Sequence, residues 1–272
     1  MAAPTASRSV TARRRGRSAL RWVMESAILL VVLVALWQLV TSVTHPLYFP
    51  TPAAIWGQVM QAWFTPSGFS TNILPSFERV TLGWLLAVVV GVPLGFAIGR
   101  VRGLGSYLTP LVHYGRAVPA PVVLPIFMIF FGIGNVMKVL FIAVGIIWPI
   151  LLNTIKGVES VEALQLDTAT VYGIRGSRRL LHVELPAALP DILAGVRISL
   201  ALAFVLMVIS EMIAASGGIG YQILQSQAQF DILNMWAGIV VLAVGGVVFN
   251  ALLAAIEARV LRWHRGQRRE AL

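Results

Sequence analysis

Ala163–Pro190, ALQLDTATVYGIRGSRRLLHVELPAALP, is a polar, basic interlude between two long apolar segments. Leu164, Thr168, Val171 and Tyr172 fall on one side of a helix, with Gln165, Asp167 and Thr170 around the rest. Gly173 can end that helix, because it reaches the left-handed conformation that other residues adopt only at a cost. Ser177 is the expected N-cap of a second short helix, and Pro186 and Pro190 are expected to stop it before the next apolar segment. The pattern predicts a compact helix–turn–helix held at a membrane surface and shaped to dock into a partner. A plainer reading stands beside it: a basic loop kept on one side of the membrane by Arg175, Arg178 and Arg179.

The rest of the chain is apolar. Hydrophobic residues make up 58% and charged residues 12%, with a mean hydropathy of +0.83. A soluble domain carries about 25% charged residues, so the chain reads as an all-α, polytopic membrane protein. Cysteine is absent, which excludes disulfides and thiolate metal sites. The net charge of +10 would suit nucleic acid, but the cations sit at the ends of apolar segments and act as topology signals. No nucleic-acid motif accompanies them.

Residues 1–22 are Arg/Ser/Ala-rich and acid-free, and are expected to be disordered. The apolar run Ser26–Val43 approaches the ~20 residues that span a bilayer and exceeds the roughly 7–15 of a signal-peptide core. No A-x-A cleavage site follows, so an uncleaved first span is expected. Residues 45–76 contain no Lys, Arg, Asp or Glu. There Pro46, Pro50 and Pro52 break the chain, and Ala53–Phe64 is expected to lie as an interfacial helix with Trp56 and Trp63 at headgroup level.

A second span, about 77–99, begins at the adjacent pair Glu78-Arg79. It carries Gly91, Gly95 and Gly99 at four-residue intervals, a face for close helix packing. A third apolar region, about 104–131, is interrupted by His113, Arg116 and Pro119-Ala120-Pro121. A charge near mid-bilayer costs ~2.5–3.5 kcal/mol on insertion scales. Either Arg116 snorkels to the interface, or it and His113 face the protein interior or a water-filled path.

A tight turn at 132–135 leads to a fourth span, about 136–155. A fifth runs about 191–213, with Arg197 and Glu211 toward opposite ends. Gly217, Gly218 and Gly220 predict a flexible connection to a sixth, about 233–256. None of the 21 Lys and Arg residues falls in 45–76, 132–135 or 214–232. Those connections are therefore expected outside, with both termini cytoplasmic and six spans in the cell membrane.

No Walker A, HExxH or G-x-S-x-G motif is present. SGGIGYQ lacks the phosphate-cradling pattern, and the four histidines (45, 113, 182 and 264) are scattered. Nothing in the chain hydrolyses ATP, holds a metal or binds a cofactor; ATP-driven work would need another polypeptide.

The spacing of the opening stretch resembles the cytoplasmic loop signature of ABC importer membrane subunits, roughly E-A-A, three residues, G, nine residues, I-x-L-P. Here Asp167-Thr168-Ala169 stands for E-A-A, then Gly173, then Val183-Glu184-Leu185-Pro186. Pro119-Ala-Pro-Val-Val-Leu-Pro125, Phe131-Gly-Ile-Gly134, Asn153-Thr154 ahead of Gly157, Ile209–Ala215 and Gly218-Ile-Gly220-Tyr221 are similar to the nitrate/sulfonate/taurine branch.

The resemblance implies a type I importer permease fold over 23–262, with a coupling loop at about 159–190 and a basic cytoplasmic tail at 263–272. It implies no enzyme, but a permease working with an ATP-binding subunit, an extracytoplasmic solute-binding protein and a second permease copy in the lipid of the inner membrane. Docking to the ATP-binding subunit would fall to Asp167, Thr168, Ala169, Gly173, Leu185 and Pro186. For the path, His113, Arg116 and Glu211 are candidates because ionisable groups in spans are functional by default. An ion-coupled carrier or channel without an ATPase partner is the alternative, although neither an internal repeat nor central carboxylates support it.

Overall fold

The computed structural model describes residues 8–101 and 104–262. Residues 1–7 and the tail 263–272 lie outside the described residues. Helix α1 (Arg8–Thr44) is followed by α2 (Pro52–Gln58), a π turn (Val59–Trp63), α3 (Pro66–Gly68) and a second π turn (Phe69–Ile73). The membrane core is built from α4 (Leu74–Arg100), α5 (Leu104–Ala117), α6 (Ala120–Phe131) and α7 (Asn135–Glu159). Then come α8 (Ala163–Val171), α9 (Gly176–Arg179), a π turn (Leu180–Glu184), α10 (Leu185–Ala214), α11 (Ile219–Ala228) and α12 (Ile232–Val260).

Five of these stretches are long and apolar enough to cross a membrane, and the bent pair α5–α6 makes a sixth when counted as one broken span. The centre is a three-helix slab of α4, α7 and α10. Small residues let the backbones approach: a Cβ on Gly95 would lie 2.8 Å from Thr154 Cβ, and one on Gly83 2.8 Å from Ile142 Cγ2. The glycine face read from sequence is therefore the α4–α7 seam. Leu124, Met137, Phe141, Ile146 and Met207 fill the core, and Phe77, Phe204 and Phe249 close it toward α12, with the Phe77 and Phe249 rings stacked at 5.4 Å.

Helix α1 touches this body near Trp37, Gln38 and Thr41, and most of the rest of its apolar run, Ala27–Thr44, is uncovered. It also extends back through basic residues expected to be disordered; Arg and Ala are good helix formers, so the helix continues to Arg8.

Four expectations need correction. The third region is two helices meeting at 88° across Val118-Pro119, since the residue before a proline is driven out of the helical region. Ser177 lies inside α9, whose N-cap is Arg175. Pro186 and Pro190 do not stop a helix: Pro186 sits in the first turn of α10, where its missing N–H costs nothing, and Pro190 is carried within it. Trp63 is buried rather than interfacial, its indole N–H donating to Asn234 Oδ1 at 2.9 Å.

Candidate functional site

The end of the bundle that carries α8 is the loop end, and the end where α10 turns into α11 is the far end. At the loop end, α8 closes in a Schellman arrangement. Ile174 N donates to Ala169 O at 2.8 Å and Gly173 N to Thr170 O at 3.1 Å, with Gly173 at φ 72°. Gly173 therefore ends the helix as its position in the sequence demands.

The side chains of α8 divide sharply. Ala169 is buried against a groove of about 690 Å³ between α8 and the start of α10, lined by Glu162, Thr168, His182 and Pro186 among others. Leu164 and Tyr172 also line that groove, yet Leu164, Tyr172 and Val171 are 72%, 78% and 84% exposed. The hydroxyls of Thr168 and Thr170 donate back to Leu164 O and Leu166 O, so the helix offers little polar chemistry of its own. Asp167 is exposed, while Leu185 and Pro186 are half-buried at the base.

That base is rigid. Glu184, buried, accepts from Arg179 Nε at 2.8 Å, and its other carboxylate oxygen lies 3.3 Å from Arg100 Nε at the end of α4. Lys156 and Asp191 pair α7 with α10 at 3.7 Å, and Arg197 with Glu257 pairs α10 with α12. Glu184 falls at the unspecified position of the I-x-L-P pattern, and sequence reasoning gave it no role.

The three ionisable groups expected along a path separate in space. Arg116 lies about 18 Å along α5 from Leu104, at 1.5 Å per residue. It borders a cavity of about 500 Å³ in the elbow between α5 and α6, walled by Trp148, Gly145, Leu206, Ile209 and Pro119. Arg116 is the one charged residue of that wall, and no carboxylate joins it. His113 is exposed on the same helix and does not line the cavity.

Glu211 belongs elsewhere, fully enclosed at the far end. Arg79 Nη1 lies 2.6 Å from Glu211 Oε1, Ser76 Oγ reaches both carboxylate oxygens, and Gly220 N donates to Oε2 at 2.9 Å. Arg79 also donates to Gly217 O and Asn135 Oδ1. The connection read as flexible is thus pinned, and a Cβ on Gly218 (φ 121°) would lie 2.5 Å from the Glu211 carboxylate carbon. Lys138, buried within reach of both charges, was missed; a lone lysine in the first turn of an apolar span was the available signal. Among the described residues no group of His, Cys, Asp or Glu could hold a metal ion.

Residues 87–262 match the family model described as binding-protein-dependent transport system inner membrane component. A protein named as an aliphatic sulfonates transport permease in Bacillus subtilis (strain 168) is 30% identical over 96% of this chain and 94% of its own. A taurine transport system permease protein of Escherichia coli (strain K12) is 33% identical over 86% and 88%, and a nitrate import permease protein of Synechococcus elongatus 31% identical over 71% and 72%. Among solved structures, an inward-facing form of the MetNI methionine ABC transporter superposes with a TM-score of 0.58 at 20% identity, covering 70% of this chain and 93% of that one. That likeness is one of fold.

Proposed function

The chain belongs to the binding-protein-dependent transport system inner membrane components, and from that premise we propose how its parts serve ATP-driven import. It is the membrane-spanning permease of the importer. The loop end faces the cytoplasm and seats α8, through Leu164, Val171 and Tyr172, in a groove of an ATP-hydrolysing subunit. The far end faces outward, to an extracytoplasmic binding protein. Two copies pair along the uncovered face of α5 and α6, where Tyr107, Leu111 and Tyr114 of α5, Val118 at the elbow and Val122 of α6 are exposed.

The observation that carries this reading is an exposed apolar helix face on a base joined by ion pairs to the end of α4. Moving α8 moves Glu184, and Glu184 is ion-paired to Arg100 on α4. Closure of the ATP-bound partner subunits therefore tilts the slab of α4, α7 and α10 as a body, the rigid-body class of alternating access. The solute is a small anion, of the kind named for the sulfonate, taurine and nitrate relatives. It is met in the elbow by Arg116, whose charge no lining carboxylate cancels.

The test is co-purification from membranes in mild detergent, wild type beside Gly173→Arg and Leu164→Glu. Wild type is expected to retain an ATP-hydrolysing subunit, and both variants to insert but lose it. If wild type emerges alone, yet moves a solute after reconstitution without ATP, an ion-coupled carrier replaces the importer.

A further inference from the structure

We propose that Phe230, between α11 and α12, is a preformed anchor for the extracytoplasmic binding protein, an assignment resting on the far end facing outward. Among the described residues the non-glycine residues with positive φ are His45 (44°) and Phe230 (58°), both at the far end. A bulky side chain in that region is a genuine outlier.

The turn has the geometry in which glycine is favoured. Asp231 N donates to Ser226 O at 2.9 Å and Phe230 N to Gln227 O at 3.1 Å, a Schellman pair with Phe230 at the left-handed position. It has no freedom to relax. Asp231 Oδ1 caps α12 by accepting from Asn234 N, and the Asn234 side chain bonds both Ser226 Oγ and the buried Trp63 indole.

The side chain gains little burial in return for the strain, since Phe230 remains 76% exposed. Its surroundings continue the same character. Trp236, early in α12, donates to Tyr48 O at 2.9 Å and packs against the Phe49 ring at 5.9 Å, bringing exposed Leu47, Tyr48 and Phe49 against the first turns of α12. Segments 45–76 and 214–232 contain no Lys or Arg, and Asp231 is their only acid.

An aromatic ring in a lipid headgroup belt needs no fixed backbone, because the surroundings are fluid. A ring presented from a fixed backbone at a conformational cost serves a shaped pocket, as interface anchors do. The family's transport depends on a binding protein, which is the occupant of matching kind. With almost no charge at the patch, docking here is apolar and insensitive to salt.

The experiment uses the assembled transporter in lipid nanodiscs and the purified binding protein of the same transport system as probe. Phe230→Gly is expected to raise the thermal midpoint or leave it unchanged while weakening docking by about tenfold or more. Phe230→Ala, which keeps the strained backbone, is expected to weaken docking equally without the gain in midpoint. Wild-type docking is expected to vary less than about threefold between roughly 0.05 and 0.5 M salt. Wild-type affinity in Phe230→Gly overturns the anchor and leaves the importer intact, and so does quenching of a Phe230→Trp reporter by brominated lipid. If the wild-type transporter binds no binding protein at all, the outward-facing reading itself fails.

Discussion

Arg79 Nη1 meets Glu211 Oε1 at 2.6 Å where α4 passes α10, both side chains shut away from solvent. Lys138 of α7 is buried within reach of the pair, its own contact a 3.5 Å approach to Gly134 O. The Arg79–Glu211 pair stands where three helices and the turn before α11 converge. A buried ion pair is weak evidence of stability, but it fixes which residues stand opposite one another. Here it sets the far-end register of the slab.

Unequal losses follow from that arrangement. Glu211→Gln leaves the Arg79 guanidinium buried without its counter-charge and is expected to cost about 3–5 kcal/mol. Arg79→Met is expected to cost less, since Ser76 Oγ and Gly220 N still donate to the Glu211 carboxylate. Arg79→Met, Lys138→Met and Glu211→Leu together are expected to recover most of the loss, because a well-packed apolar set replaces the ions. Thermal unfolding in detergent ranks the variants; a Glu211→Gln protein as stable as wild type removes the pin.

The α4–α7 seam makes a second contrast. Gly95→Leu would force its Cβ to 2.8 Å from Thr154 Cβ and 3.0 Å from Leu151 O, where backbone cannot move aside. Expected is a loss of 3 kcal/mol or more by the rough cost of overpacking, read as a protein that is made but not recovered folded. Gly246→Ala in α12 meets nothing within 4 Å and is expected to stabilise by about 0.4–1 kcal/mol.

The spans were legible because each is an apolar run bounded by charge or proline, and Gly91, Gly95 and Gly99 announced their seam by spacing alone. Gly173 was legible for the same reason, a local one: the residue itself carries the conformational preference. What the sequence hid were consequences of distance in the chain. Glu211 reads as an ionisable group in a span, and only the fold brings Ser76 and Arg79 onto it. Pro186 reads as a stop, and only the path of the chain turns it into the first turn of a 30-residue helix. Glu184 sits in the motif at a position the pattern leaves open, so its ion pairs were invisible until Arg100 arrived from another helix.

Glu184→Gln tests that hidden joint. The substitution keeps size and removes the charge shared by Arg100 and Arg179. Both arginines retain access to water, so the expected loss of stability is about 1–2 kcal/mol, below the range for a fully buried pair. The larger effect is expected in coupling. The ATP-hydrolysing subunit still co-purifies, because the face of α8 is untouched, but hydrolysis proceeds without solute uptake. Normal uptake with the same small loss of stability would make the joint merely structural.

Arg116 and Glu211 separate the path from the scaffold. Both are ionisable groups in apolar helices, yet Arg116 borders an open cavity and Glu211 is 0% exposed in a closed network. Arg116→Ala is therefore expected to leave thermal stability within about 0.5 kcal/mol, as at other exposed positions. Assembly and ATP hydrolysis should also persist, while anion uptake in proteoliposomes falls roughly tenfold or more. Arg116→Lys keeps a point charge but loses the planar fork that grips an oxyanion at two points, so it should recover part of that loss. His113→Ala, one turn earlier and outside the cavity wall, should change little. The opposite pattern, with uptake surviving Arg116→Ala and stability falling, would place Arg116 in the scaffold and leave the elbow without a charge-selective group.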